Sequence, residues 1–147
     1  MTGCRVTRSM SAMRFVDTNV LLYAVSTAAE EHAKKVRALE ILSGRDVALS
    51  IQVLQEFYVQ ATHPRRAARL THDQALALIE SWLRFPVLDV SVRLMRSALA
   101  TVARWQVSYW DAAIVEAARE ARCPTLLSED FQDGMDFGGV RVVNPFR

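Results

Sequence analysis

The sequence predicts a three-layer α/β/α domain, in which helices cover both faces of a central parallel sheet of about five strands. Short runs rich in Val and Leu alternate along the chain with longer runs whose apolar residues recur every three to four positions. The chain has 147 residues, of which 51% are hydrophobic, enough for the core of one domain. Strands that alternate with helices in this way usually pair in parallel, because each helix returns the chain to the same edge of the sheet.

The first part of the chain predicts two strands and two helices. Strands are expected at Arg14–Asp17 and Asp46–Ser50, where short apolar runs are bounded by polar residues. Helices are expected at Val20–Ser26 and Glu30–Leu42, and Gly44 is expected to end the second.

Capping residues and prolines delimit the other elements. Ser50 and Thr71 are good N-cap residues, and Gln74 completes a capping box with Thr71. Pro64 marks where the helix after Ser50 has ended. The remaining predicted elements are helices from Ser50 to about Thr62, Thr71 to about Leu83, Ser91 to about Trp105 and about Trp110 to Ala121, and strands at Pro86–Val90, Pro124–Ser128 and Val140–Asn144.

Composition excludes several classes of protein. The formal net charge of +2 permits nucleic-acid binding without arguing for it. Cys4 and Cys123 lie far apart in unrelated contexts, as expected for reduced thiols and not for a disulfide framework. No apolar run is long enough to span a bilayer, so no membrane association is expected.

The first dozen residues lack the apolar core of a signal peptide, and we expect a cytoplasmic protein. Residues 1–12 are interpreted as a tail before a domain at 13–147, or as the result of a start codon assigned too early. Met1, Met10 and Met13 are the alternative starts.

Four acidic residues fall at positions where a parallel sheet would bring them together. Asp17 ends the first strand, Asp130 follows the fourth, Asp111 begins the Ala-rich helix and Glu56 lies within the helix after the second strand. The carboxyl ends of parallel strands share one edge, which is where ligands bind in such folds. Taken singly, each acid has a structural explanation, as a helix cap, an exposed helix residue or a turn residue.

A cluster of these acids would need a counter-charge, because neighbouring carboxylates cannot all stay ionised without one. None of the four motifs contains Lys or Arg, so the natural counter-charge is a divalent metal ion. Hard oxygen ligands favour Mg²⁺ or Mn²⁺.

In their order along the chain, "FVDTNVLLYA", "QEF", "YWDAAIVEAA" and "LLSEDF" with a closing "VRVVNPF" resemble the PIN-domain nucleases, and within them the VapC-type toxins of toxin–antitoxin pairs. The resemblance implies that Asp17, Glu56, Asp111 and Asp130 form the metal site. It also implies that the hydroxyl of Ser128 belongs to this site. Thr18, Asn19 and Ser128 are expected to orient carboxylates or waters.

The resemblance further implies a metal-dependent endoribonuclease that uses Mg²⁺ or Mn²⁺, forms a homodimer and is silenced by a cognate antitoxin. A metal-activated water would hydrolyse the RNA phosphodiester bond. The number of metals, and whether Glu56 is a ligand or orients the water, stay open. Two alternatives also stay open: a PIN nuclease that is not a toxin and acts in RNA processing or on DNA, and a catalytically silent nucleic-acid-binding module.

An acidic site repels RNA, so basic and aromatic residues are expected around it. The candidates are Arg65, Arg66 and Arg69 for phosphate, and Tyr109 and Trp110 for stacking on a base. Core packing is the competing explanation for at least one of the two aromatic residues.

Overall fold

The computed structural model describes residues 12–147 and confirms the α/β prediction. Its five strands form one parallel sheet in the order β3-β2-β1-β4-β5. The strands are β1 (Arg14–Val16), β2 (Val47–Ser50), β3 (Val87–Leu88), β4 (Thr125–Leu127) and β5 (Arg141–Val143). β3 is shorter than the predicted Pro86–Val90, because only two of its residues pair with β2.

In the part of the chain that the structure describes, six α-helices surround the sheet. They are α1 (Thr18–Ala24), α2 (His32–Leu42), α3 (Ile51–Ala61), α4 (His72–Trp82), α5 (Val92–Trp105) and α6 (Tyr109–Glu120). The capping box at the start of α4 is confirmed, since Thr71 Oγ1 accepts from Gln74 N and Gln74 Oε1 accepts from Thr71 N.

Two helices begin earlier than the sequence predicts. α1 starts at Thr18 and not Val20, because the Asp17 carboxylate accepts a hydrogen bond from Thr18 N and so caps the helix. α6 starts at Tyr109, because Ser108 is its cap and accepts from Asp111 N at 3.1 Å. Asp111 therefore lies in the first turn of α6 and is not the cap that its position suggested.

The core lies on both faces of the central strands. Phe15 and Val16 of β1 and Leu126 of β4 are completely buried, as expected for a parallel sheet covered by helices on both sides. On one side α5 packs on α6 through Ala98, Ala112 and other small residues, which lets the two helices approach closely. This packing fixes the first turn of α6, and with it Asp111, relative to the sheet.

Within residues 12–147, no helix combines the length and the apolar character needed to cross a membrane. The predicted N-terminal tail, residues 1–12, lies outside the described residues except for Ala12.

Candidate functional site

The four predicted acids line a single cavity at the carboxyl edge of the sheet. The cavity has a volume of about 300 Å³ and is lined by Asp17, Glu56, Asp111 and Asp130 together with Thr18, Asn19, Gln52 and Trp110, among others. Among the residues that the structure describes, no Lys or Arg lines it. It therefore gathers negative charge with no built-in cation.

The topology explains how acids from distant segments meet there. β1 and β4 are neighbours, so Asp17 and Asp130 follow adjacent strands at the same edge. The backbone continues this pairing past β1, with Asp17 N donating to Leu127 O at 3.0 Å. α3 and α6 contribute Glu56 and Asp111 from the helices that follow β2 and precede β4.

Asp17 is the most buried of the four acids, with 6% of its surface exposed. Its Oδ1 accepts from Thr18 N at 2.7 Å and its Oδ2 accepts from Ser128 Oγ at 2.7 Å. Burial nevertheless raises the pKa of Asp17 from 3.8 to about 6, and the charges of Asp130 and Glu56 add to the rise. An ionised Asp17 is thus costly unless a cation joins it.

Glu56 is held by two side chains. Its Oε1 accepts from Thr18 Oγ1 at 2.9 Å, and its Oε2 accepts from Gln52 Nε2 at 3.3 Å. Gln52 also reaches Trp110 O at 3.4 Å, which links α3 to the start of α6. Gln52 was not predicted as a site residue, although its position four residues before Glu56 on one helix places the two side chains side by side.

Ser128 is fully buried and lies at the centre of a small polar cluster. Besides donating to Asp17, its Oγ accepts from Asn19 Nδ2 at 3.3 Å and from Asp130 N at 3.1 Å. One hydroxyl therefore contacts the carboxylate of Asp17 and the backbone of Asp130, the two acids that follow the adjacent strands.

A second polar group, missed from the sequence, lies next to this cluster. Glu129 accepts from Tyr23 Oη and from Lys34 Nζ, each at 2.5 Å. The hydrogen bond to Glu129 raises the pKa of Lys34 to about 12, so the lysine stays charged at neutral pH. The spacing of Asn19 and Tyr23 could have indicated that Tyr23 lies near the site, because residues one helical turn apart face the same way.

The acid cavity fits a hard divalent cation by its donor chemistry. All four acids offer carboxylate oxygens, and the most buried one has its two oxygens already oriented by hydrogen bonds. Within residues 12–147, no three His, Cys, Asp or Glu side chains converge closely enough to form a ready-made metal site. The acids therefore surround the cavity without meeting at one point, as expected for carboxylates that repel one another.

The structure separates the three predicted arginines. Arg66 lines a cavity of about 180 Å³ that shares Asn19 and Leu22 with the acid cavity. Arg65 and Arg69 are exposed and line neither of these two cavities. Of the three, only Arg66 lines a cavity that shares residues with the acid cavity.

The two predicted aromatic residues also differ. Trp110 lines the acid cavity and is 62% exposed, so its ring is accessible. Tyr109 is half-buried and packs edge-on against Trp110 with a centroid distance of 5.0 Å. Tyr109 thus supports the tryptophan, and the packing explanation applies to it.

The fold and the cavity define a class: a one-sheet parallel α/β domain with a carboxylate-lined site at the carboxyl edge. The model of the PIN domain family matches residues 14–132, and the chain belongs to this family. The sequence has no match among functionally curated proteins.

Several solved structures share the fold. A toxin–antitoxin complex from Klebsiella pneumoniae is 21% identical with a TM-score of 0.64, covering 90% of this chain and 97% of that one. VapC20 from Mycobacterium tuberculosis, a sarcin-ricin-loop-cleaving toxin, is 22% identical with a TM-score of 0.61, covering 80% and 91%. FitAcB from Neisseria gonorrhoeae is 20% identical with a TM-score of 0.60, covering 91% and 99%.

Proposed function

We propose that this protein is a metal-dependent endoribonuclease and the toxin of a toxin–antitoxin pair. The observation that carries the proposal is the cavity lined by four carboxylates and by no cationic side chain among the described residues. Helix capping does not require acidic side chains to line the same cavity, whereas the binding of a divalent metal requires several oxygen ligands close together. PIN nucleases generally use divalent metals, which agrees with this chemistry.

Asp17, Asp111 and Asp130 would hold the metal ion. A bound Mg²⁺ or Mn²⁺ ion would supply an activated water and a positive charge that offsets the negative charge of the phosphate. Ser128 keeps Asp17 oriented through its 2.7 Å hydrogen bond. Glu56, fixed by Thr18 and Gln52, either joins the ligands or orients the attacking water.

RNA would reach the acids along the surface that connects the acid cavity to Arg66. The guanidinium of Arg66 is the cation of the adjoining cavity and would bind a backbone phosphate. Trp110 offers an exposed ring beside the acids, on which an unpaired base can stack. These contacts favour a single strand or a loop over a regular duplex, whose bases are already stacked.

The toxin assignment is supported by structural neighbours that include a toxin–antitoxin complex and a toxin that cleaves the sarcin-ricin loop. A toxin of this kind needs a cognate antitoxin, and we propose that this chain also forms a homodimer. α5 has an apolar stripe on its outer surface, with Val92, Met95 and Leu99 exposed by 61%, 42% and 52%. Such a stripe is suited to contact with another protein surface.

The direct test is cleavage of RNA by the purified protein. Cleavage is expected with Mg²⁺ or Mn²⁺, and it should stop in EDTA. Asp111→Asn should abolish it while circular dichroism stays native, because the cap of α6 is Ser108 and not Asp111. The matched control is Asp89→Asn, which removes the same charge from an exposed residue that follows β3 at the same edge.

Undiminished cleavage by Asp111→Asn would contradict the proposed metal site. RNA that is bound but left intact under all metal conditions would support the silent binding module instead. Cleavage without growth arrest on induced expression would support a PIN nuclease that is not a toxin.

A further inference from the structure

The carboxylate of Glu129 ties two helices to the turn that carries two candidate site residues. It accepts from Tyr23 on α1 and from Lys34 on α2 at 2.5 Å each. Lys34 Nζ also contacts Tyr23 Oη at 3.2 Å and lies 4.8 Å from the centre of the tyrosine ring. We call Tyr23, Lys34 and Glu129 the Glu129 network.

The network lies where the chain leaves the regular support of the sheet. β4 ends at Leu127, and Ser128 N still donates to Val143 O at 3.1 Å. Asp130 follows in a turn and is exposed. Its place at the cavity therefore depends on side-chain contacts made by its neighbours.

Three consecutive side chains of this turn make different contacts. Ser128 contacts Asp17, Glu129 turns to Tyr23 and Lys34, and Asp130 lines the acid cavity. Anchoring the middle side chain fixes the direction of the residues on either side of it. Contacts that hold Glu129 would therefore help to orient Ser128 and Asp130 on either side of it.

Helix α1 connects the network to Asp17. Asn19 Oδ1 accepts from Glu129 N at 3.4 Å, and one helical turn later Tyr23 donates to the Glu129 carboxylate. α1 begins directly after Asp17, which is its cap. The helix that starts at one candidate ligand therefore grips the residue adjacent to the other.

The Lys34–Glu129 ion pair is only partly buried, with 38% and 25% of the two side chains exposed. Pairs this exposed contribute little to the stability of a fold. The pair also balances the charge of Glu129, so this carboxylate does not add to the negative charge of the acid cavity next to it.

We propose that the Glu129 network positions the candidate metal centre, with Tyr23 and Lys34 holding Glu129 so that Ser128 and Asp130 face Asp17. This inference rests on the proposed function, because it assumes that the acids bind a divalent metal. Tyr23, Lys34 and Glu129 are positioning residues and touch neither metal nor substrate.

The sign of the change in metal affinity separates positioning from simple electrostatics. If Lys34 acted only through its charge, replacing it with Met would make the site more negative and tighten cation binding. If it positions the turn, the same change lets Glu129 and Asp130 move, and cation binding weakens. Loss of an outer-shell partner typically weakens metal binding by about tenfold or more.

The experiment is isothermal titration of the full chain with Mn²⁺, well below the melting temperature. Lys34→Met should bind Mn²⁺ about tenfold more weakly than the wild type, and Lys34→Arg should restore most of the affinity. The matched control is Lys35→Met, because Lys35 is on the same helix and makes no ion pair or side-chain hydrogen bond within residues 12–147. It should bind Mn²⁺ like the wild type.

Tyr23→Phe removes one hydrogen bond from Glu129 and leaves the ring in place, so it provides a second test if Lys34→Met does not fold. It should weaken Mn²⁺ binding in the same direction by a smaller factor. Equal or tighter Mn²⁺ binding by natively folded Lys34→Met and Tyr23→Phe would overturn the network inference alone. A wild type that binds no Mn²⁺ would overturn the proposed function, and the inference with it.

Discussion

Asp17→Asn is expected to stabilise the metal-free protein at neutral pH. Burial raises the pKa of Asp17 from 3.8 to about 6, so the folded state binds a proton more readily than the unfolded state does. The stability that Asp17 contributes is therefore fully present below about pH 3.8 and is lost as pH rises through about 6. Asn mimics the neutral acid at every pH and escapes this loss.

The magnitude follows from the two pKa values. A difference between 3.8 and about 6 corresponds to about 3 kcal/mol in the free energy of unfolding above pH 6. Asn keeps an oxygen for Thr18 N, but its amide must donate to Ser128 Oγ, which already accepts from Asn19 and Asp130. A strained hydrogen bond of this kind costs about 1 kcal/mol, leaving a net gain of about 2 kcal/mol at pH 7.5.

The assay is urea unfolding in EDTA, followed by circular dichroism, at pH 4, 6 and 7.5. The variant should be more stable at pH 7.5, and its advantage should disappear toward pH 4, where Asp17 is largely protonated when folded. Mn²⁺ binds the carboxylates of the folded wild type, so adding it should make the wild type more stable than the variant. Asp89→Asn, which changes an exposed acid, should show neither effect.

Lower stability of Asp17→Asn at pH 7.5, or a stability difference that does not change with pH, would refute this reasoning. Asp17 would then be an ordinary helix cap, for which loss of the side chain costs about 0.5–2 kcal/mol. If Mn²⁺ also failed to stabilise the wild type, the acids would have no role in common.

Three further predictions test the surroundings of the acids. Thr18→Val removes the hydroxyl that donates to Glu56 at 2.9 Å and should reduce cleavage by about tenfold, measured as initial rate at saturating Mn²⁺; an unchanged rate would mean that Glu56 needs no orientation. Arg66→Gln should weaken RNA binding and lower the slope of log affinity against log salt by about 0.7 for a single strand. Arg65→Gln should change the affinity and the slope less, and Arg45→Gln, before β2, should change neither. Equal changes in all three variants would mean that the arginines act only through the overall charge of the protein. An arginine from the antitoxin can replace the positive charge of the metal by pairing with a carboxylate, so high Mg²⁺ should weaken inhibition by an isolated antitoxin peptide in a cleavage assay, and insensitivity to Mg²⁺ would indicate steric cover instead.

Sequence alone was sufficient for the layers of the fold and for most element positions. Helical period, alternation and caps are properties of a few consecutive residues, so they can be recognised without the tertiary structure. The capping box of Thr71 and Gln74 is an example, since its two hydrogen bonds span three residues. Competing local caps were the exception, as at α6, where Ser108 and not Asp111 caps the helix.

The rough location of the acids also followed from the sequence, because Asp17 and Asp130 follow strands whose carboxyl ends share an edge in any parallel sheet. Glu56 was harder, since its place depends on how α3 packs. Only the tertiary structure showed that Thr18 and Gln52 hold it.

The contacts around the site were decided by folding alone. Lys34 and Glu129 are 95 residues apart along the chain, and no local pattern distinguishes Lys34 from Lys35 beside it. In the same way, Arg66 lines the cavity that adjoins the acid cavity and Arg65 does not, although the two are adjacent in sequence. The sequence determined which segments are helices and strands, through short-range hydrogen bonds and periodicity. Which distant side chains meet was settled by packing of the whole core, because only that packing fixes the rotation of each helix against the sheet.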